Sequence, residues 1–101
     1  MECNTNGEYC ILRCGSHLEF GAISSLKDVL QQSLASQKPI IFDAHEIVHI
    51  DTAALQLILA FTIAINRNQL TWEWDHPSPV LLKVANLLGM SNLLKLPSIE
   101  G

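Results

Sequence analysis

Basic residues are scarce: six Lys and Arg against ten Asp and Glu leave a formal net charge of −4. Nucleic-acid backbones are held by clustered Lys and Arg. The six here are scattered along the chain, so nucleic acid is disfavoured as a partner. Cysteine is equally sparse. Cys3, Cys10 and Cys14 are too few, and odd in number, for a disulfide framework. Gly15, Gly21 and Gly89 are isolated, and no phosphate-cradling glycine loop appears. The longest apolar segment, Ala53 to Ile65, is interrupted by Gln56 and Thr62 and falls short of the roughly 20 residues of a spanning helix. No membrane insertion is expected. Residues Met1 to Gly7 have no basic region followed by an apolar stretch, so no signal peptide is expected either. These absences point to a soluble, reduced, cytoplasmic protein.

What is present suits one small globular domain. With 101 residues, 49% of them hydrophobic and 16% charged, the chain can build a single core. It is too small for most self-contained enzymes with several substrates, and neither enzymatic activity nor a cofactor is expected. Residues 1–7 are polar and read as a loose, flexible start, with the domain proper over 8–97. Tyr9 to Arg13 is β-forming, and a continuation or turn runs through Gly15 to Leu18. From Ala22 to Ser36 the apolar residues Ile23, Leu26, Leu30 and Leu34 fall at helical spacing, with Lys27, Asp28, Gln31 and Gln32 opposite. Pro39 to Asp43 is a short apolar run of the buried-strand type.

A second helix is expected from Asp51 or Thr52, both good N-cap residues, to about Asn66. Leu70 to Asp75 alternates as a strand. Pro79 then stands near the first position of a third helix, and Val80, Val84, Leu87 and Leu88 share one face before Gly89. Leu93 to Leu96 reads as a last short strand. Strands alternating with helices imply an α/β layer, a small sheet covered by helices on one or both faces.

Several constellations carry chemistry on paper. His45-Glu46-Ile47-Val48-His49 matches the HExxH of zinc proteases, which works only on a helix. Here it lies between a strand and a helix cap, and it reads as a connection rather than a metal site. Cys10, Cys14 and His17 offer a partial ligand set without the usual paired-cysteine spacing; buried strand cysteines are the simpler reading. Trp72 and Trp74 lie on one side of their strand, either as core aromatics or as a stacking platform. The second helix is more informative. Leu55, Ile58, Leu59, Phe61, Thr62 and Ile65 gather on one broad face. Ala53, Gln56, Ala60, Ala64 and Arg67 lie opposite, with Leu57 and Ile63 at the edges. That outward face is small, flat and nearly uncharged, suited to docking a protein; the alternative is burial on both sides.

The stretch Phe42-Asp43-Ala44-His45-Glu46-Ile47-Val48-His49-Ile50-Asp51-Thr52-Ala53-Ala54-Leu55 resembles the signature of STAS domains, the fold of bacterial anti-sigma factor antagonists. The resemblance extends to the Leu70–Asp75 strand and to Pro77-Ser78-Pro79 leading into Val84-Ala85-Asn86-Leu87-Leu88-Gly89-Met90. It implies a small mixed sheet of four or five strands with helices mainly on one face. It also implies a switch in which a histidine-kinase-like partner phosphorylates a serine at the helix start. Asp51 matches the family's Asp, Thr52 its first Ser, Ala53 the phosphorylated Ser and Ala54 the Gly. Glu19 stands where the family has an Asp beside the phosphate site. Ala53 has no hydroxyl, so the switch is either absent or moved to Thr52, which is otherwise a helix cap. Asp51-Thr52-Ala53-Ala54-Leu55-Gln56-Leu57 is also similar to STAS proteins found with chemotaxis components, and to the cytoplasmic accessory subunits of lipid-transporting ABC ATPases. The resemblance implies a regulatory module whose partner is a kinase-like ATPase or a chemotaxis component, with an ABC ATPase as the alternative. The docking residues are Ala53, Gln56, Ala60, Ile63 and Arg67, bordered by His49.

Overall fold

The computed structural model describes residues 2–19, 21 and 23–97. In chain order the elements are β1 (Glu2–Thr5), β2 (Cys10–Arg13), β3 (His17–Leu18), α1 (Ile23–Ala35), β4 (Ile40–Asp43), β5 (His49–Ile50), α2 (Thr52–Arg67), β6 (Trp72–Asp75) and α3 (Pro79–Leu87). Ala22, the expected first residue of α1, and the side chains of Ile23 and Leu26 lie outside what is described. The main sheet runs β1-β2-β4-β6, with β1 antiparallel to β2 and the other neighbours parallel. Parallel neighbours need long crossovers, and α1 and α2 supply them. Strands β3 and β5 form a separate two-stranded parallel sheet.

Alternation along the strands sorts the two faces. Cys10, Leu12, Ile40, Phe42 and Trp72 are buried on one face, while Arg13, Glu73 and Asp75 are exposed on the other and Asp43 is half-buried there. Phe42 sits at the centre. Its ring meets Phe61 of α2 edge-on at 6.1 Å and Trp72 edge-on at 6.0 Å, and stacks on Trp74 at 4.7 Å. The two tryptophans are therefore core aromatics and not an open platform. From α2, Ala54, Leu55, Ile58, Phe61, Thr62 and Ile65 are buried against this layer. Each large side chain so buried contributes about 1.5–3 kcal/mol.

Three expectations change. Residues 2–5 are no loose start: they form β1, registered from Glu2 opposite Arg13 to Thr5 opposite Cys10. An edge strand needs only one row of hydrogen bonds and one inward contact, and half-buried Cys3 supplies the contact. Residues 91–95 are turns rather than a strand. Their backbone bonds close locally, Leu94 N–H to the Met90 carbonyl at 3.0 Å and Leu96 N–H to the Ser91 carbonyl at 2.8 Å. In α3 the inward pair is Leu81 and Ala85, four residues apart, while Leu87 and Leu88 are exposed. Gly89 at φ +70° ends that helix in the left-handed region that suits glycine, leaving the two leucines beyond the core.

Candidate docking surface at the start of helix α2

The small β3–β5 sheet fixes the entry to α2. Val48 and His49 both donate their N–H groups to the Ser16 carbonyl, at 2.9 and 3.1 Å, and Asp51 N–H donates to the Leu18 carbonyl at 3.1 Å. Asp51 is extended, at φ −91° and ψ 166°, and its Oδ1 accepts from Ala54 N–H at 2.9 Å. Its carbonyl accepts from Leu55 N–H at 3.1 Å. Asp51 is thus the N-cap, which corrects the reading of Thr52 as a cap. Thr52 is the first helical residue and is exposed. Glu19, also exposed, follows Leu18 on the neighbouring strand. Glu19, Asp51 and Thr52 therefore gather around one helix end.

From there a stripe of exposed residues follows the helix: Thr52, Gln56, Ala60, Ile63 and Arg67, at spacings of four, four, three and four. Ala53, Leu57 and Ala64 are half-buried along its edges. Ile63, placed at the edge by sequence periodicity, lies within the stripe and is 48% exposed. Only Arg67 carries charge. A solvated helix face ordinarily carries several Lys and Glu residues. His49 borders the stripe's start, with its ring 6.0 Å from that of His17 on β3.

The model of the STAS domain family matches residues 1–99. This chain is a STAS domain. A comparison with curated proteins gives no match. STAS domains mediate protein–protein interactions and are generally non-enzymatic. Among the described residues, no helix of this STAS domain is long and apolar enough to cross a membrane.

The His45–His49 segment runs through a turn into β5 and is not helical. His45 pairs its Nδ1 with Asp43 Oδ1 at 2.5 Å, and its Nε2 lies 3.4 Å from Glu46 Oε1. His49 faces His17 instead. Cys10 and Cys14 are fully buried while His17 is exposed, so those three do not assemble. Among the described residues no group of three His, Cys, Asp or Glu side chains is placed to hold a metal ion.

Sequence reasoning missed one feature. A cavity of about 460 Å³ opens on the polar sheet face, lined by Glu2, Arg13, Gly15, Asp43, His45 and Glu46. The strand register that sets Glu2 opposite Arg13, and Arg13 beside Asp43, assembles it. The Asp43 carboxylate holds His45 above the ordinary histidine range, first by its hydrogen bond and then by its charge. The outward alternation of β2 and β4 was the available signal. The contribution of Glu2 depended on a strand that its polar sequence conceals.

Proposed function

We propose that this STAS domain is a regulatory module that docks a protein partner through the stripe beginning at Thr52, in the manner of anti-sigma factor antagonists. The observation that carries this reading is the exposed line Thr52, Gln56, Ala60, Ile63 and Arg67, small and with one charge, continuous with the capped helix start. Ala53 and His49 border it. Because Asp51 provides the cap, the Thr52 hydroxyl is available as the modification site that Ala53 lacks. A phosphate there adds about two negative charges and three acceptor oxygens. The helix N-terminus would favour that charge, whereas Asp51 and Glu19 would oppose it, so modification would change both affinity and local order. The partner on this reading is a kinase-like ATPase or a chemotaxis component, met in the cytoplasm.

A second reading, permanent docking on a lipid-transporting ABC ATPase, draws on Ala53: a surface without the usual serine needs no switch. A pull-down from native lysate with wild-type and Ala60→Glu baits separates the readings. A kinase-like or chemotaxis partner that the variant loses supports the regulatory module. An ABC ATPase in its place supports the subunit. A partner kept by both baits overturns the assignment of this face.

A further inference from the structure

Cys3 and Cys10 lie on adjacent antiparallel strands. Their register sets Cys3 opposite Leu12 and Thr5 opposite Cys10, so the two cysteines are diagonal neighbours on the same sheet face. Their Sγ atoms are 3.2 Å apart, and both are free thiols. Cys3 is half-buried on the edge strand, whereas Cys10 is fully buried. We propose that Cys3 and Cys10 are an oxidant-responsive pair, closed by a hydroperoxide into a reversible intrachain disulfide that fastens β1 to the rest of the sheet.

The different burial of the two thiols sets the order of events. The Cys3 thiolate, the one solvent can reach, attacks the peroxide oxygen. The O–O bond breaks, an S–O bond forms, and the alcohol or water derived from the hydroperoxide leaves. The Cys3 sulfur is oxidised to a sulfenic acid as the peroxide is reduced. The Cys10 sulfur then attacks the Cys3 sulfur, the S–O bond breaks, and the oxygen departs as water with the Cys10 proton. Burial pushes the Cys10 thiol up, as does the neighbouring Cys3, which keeps Cys10 from being the first site of attack. Its role is to resolve a sulfenic acid already in contact.

An S–S bond is about 2.05 Å long and asks for closer Cβ atoms than diagonal neighbours ordinarily have. Closure therefore draws Cys3 toward Cys10. Strand β1 can make that shift, because it is hydrogen-bonded on one side only. Cys14 is a built-in comparison. It is 1% exposed, its Sγ lies toward the Leu12 carbonyl at 3.9 Å, and burial pushes its thiol up to about 12. It has neither a thiol neighbour nor the reactivity to join the pair.

The test is to treat wild-type protein, Cys3→Ser and Cys14→Ser with hydrogen peroxide, alkylate under denaturing conditions, and read intact mass and peptide maps. Wild type and Cys14→Ser should each lose two hydrogens as monomers. Cys3 and Cys10 should become unalkylatable together, and dithiothreitol should restore both. Cys3→Ser should show no such loss. Hydrogen exchange adds a readout of the fold: the amides of β1 should exchange more slowly in the oxidised protein and return to their former rate on reduction. The proposal is overturned if Cys3 gains oxygens while Cys10 stays alkylatable. A disulfide between two copies through Cys3, or a Cys10–Cys14 bond, would overturn it equally.

Discussion

Asp51 Oδ1 accepts the backbone N–H of Ala54 at 2.9 Å, and this bond separates two roles that the sequence leaves merged at Asp51-Thr52. Asp51 holds the helix; Thr52 only begins it. Asp51→Ala should cost about 1 kcal/mol of stability, the usual effect of deleting a cap. Asp51→Asn should retain most of that stability while removing the charge. Thr52→Ala should lie within about 0.5 kcal/mol of wild type, as surface substitutions away from caps do. Urea unfolding of the three variants checks the assignment, and an equal loss in Thr52→Ala would return the cap to Thr52.

Ala60 is exposed midway along α2 and lines a shallow groove against α1 with Leu30, Leu34, Leu57 and Phe61. A glutamate there can extend into solvent, and Glu is a good helix former. Ala60→Glu should therefore change stability by less than about 0.5 kcal/mol while abolishing partner binding. Thermal melts beside the pull-down separate the two effects. A loss of several kcal/mol would mean that the face is buried within the fold.

Much of this was legible from residue order because the central elements agree with their local chemistry. The Ile40–Asp43 strand, the helix after Asp51 and the Pro79 helix start all carry period, cap or proline signals. The failures share a cause. Glu2–Thr5 is a strand through pairing with β2, and nothing in four polar-looking residues announces a partner so near in sequence. Leu93 to Leu96 look like a strand by composition, yet Trp74 supplies the constraint that decides their path, its indole donating to the Leu94 carbonyl. On α2, helical spacing anticipates the exposure of Gln56, Ala60 and Arg67, whereas Ala53 and Ala64, expected beside them, are half-buried and Ile63 is exposed in their place. Which of Asp51 and Thr52 caps the helix depended on backbone geometry that two good capping residues in a row leave undecided.

Trp74 Nε1 donates to the Leu94 carbonyl at 2.7 Å. Leu94 and Leu96 are buried beyond α3, and this bond crosses from β6 to hold their segment in place. Trp74→Phe keeps an aromatic ring against Phe42 but removes the donor, leaving a carbonyl without that partner. The expected cost is about 1–3 kcal/mol, with protease sensitivity appearing first around residues 91–97. Unchanged proteolysis in that region would show that the two buried leucines alone secure it.

His45 gives the domain a pH dependence with a defined sign. Its protonated imidazole donates from Nδ1 to Asp43 Oδ1 at 2.5 Å, and its folded-state pKa is raised above the ordinary value of about 6.5. A raised value means that the folded protein binds the proton more tightly than the unfolded chain does. The stabilisation is complete below about pH 6.5 and is lost as pH rises through the folded-state value. His45 is exposed to solvent, so the effect is small and is screened further by salt. Titration of the His45 ring by NMR should show the upward shift, and Asp43→Asn should return it toward the ordinary range. The Tm difference between wild type and His45→Gln should favour wild type more at pH 6 than at pH 9. An unshifted ring titration in the wild type would mean that the Asp43–His45 pair does not persist in solution.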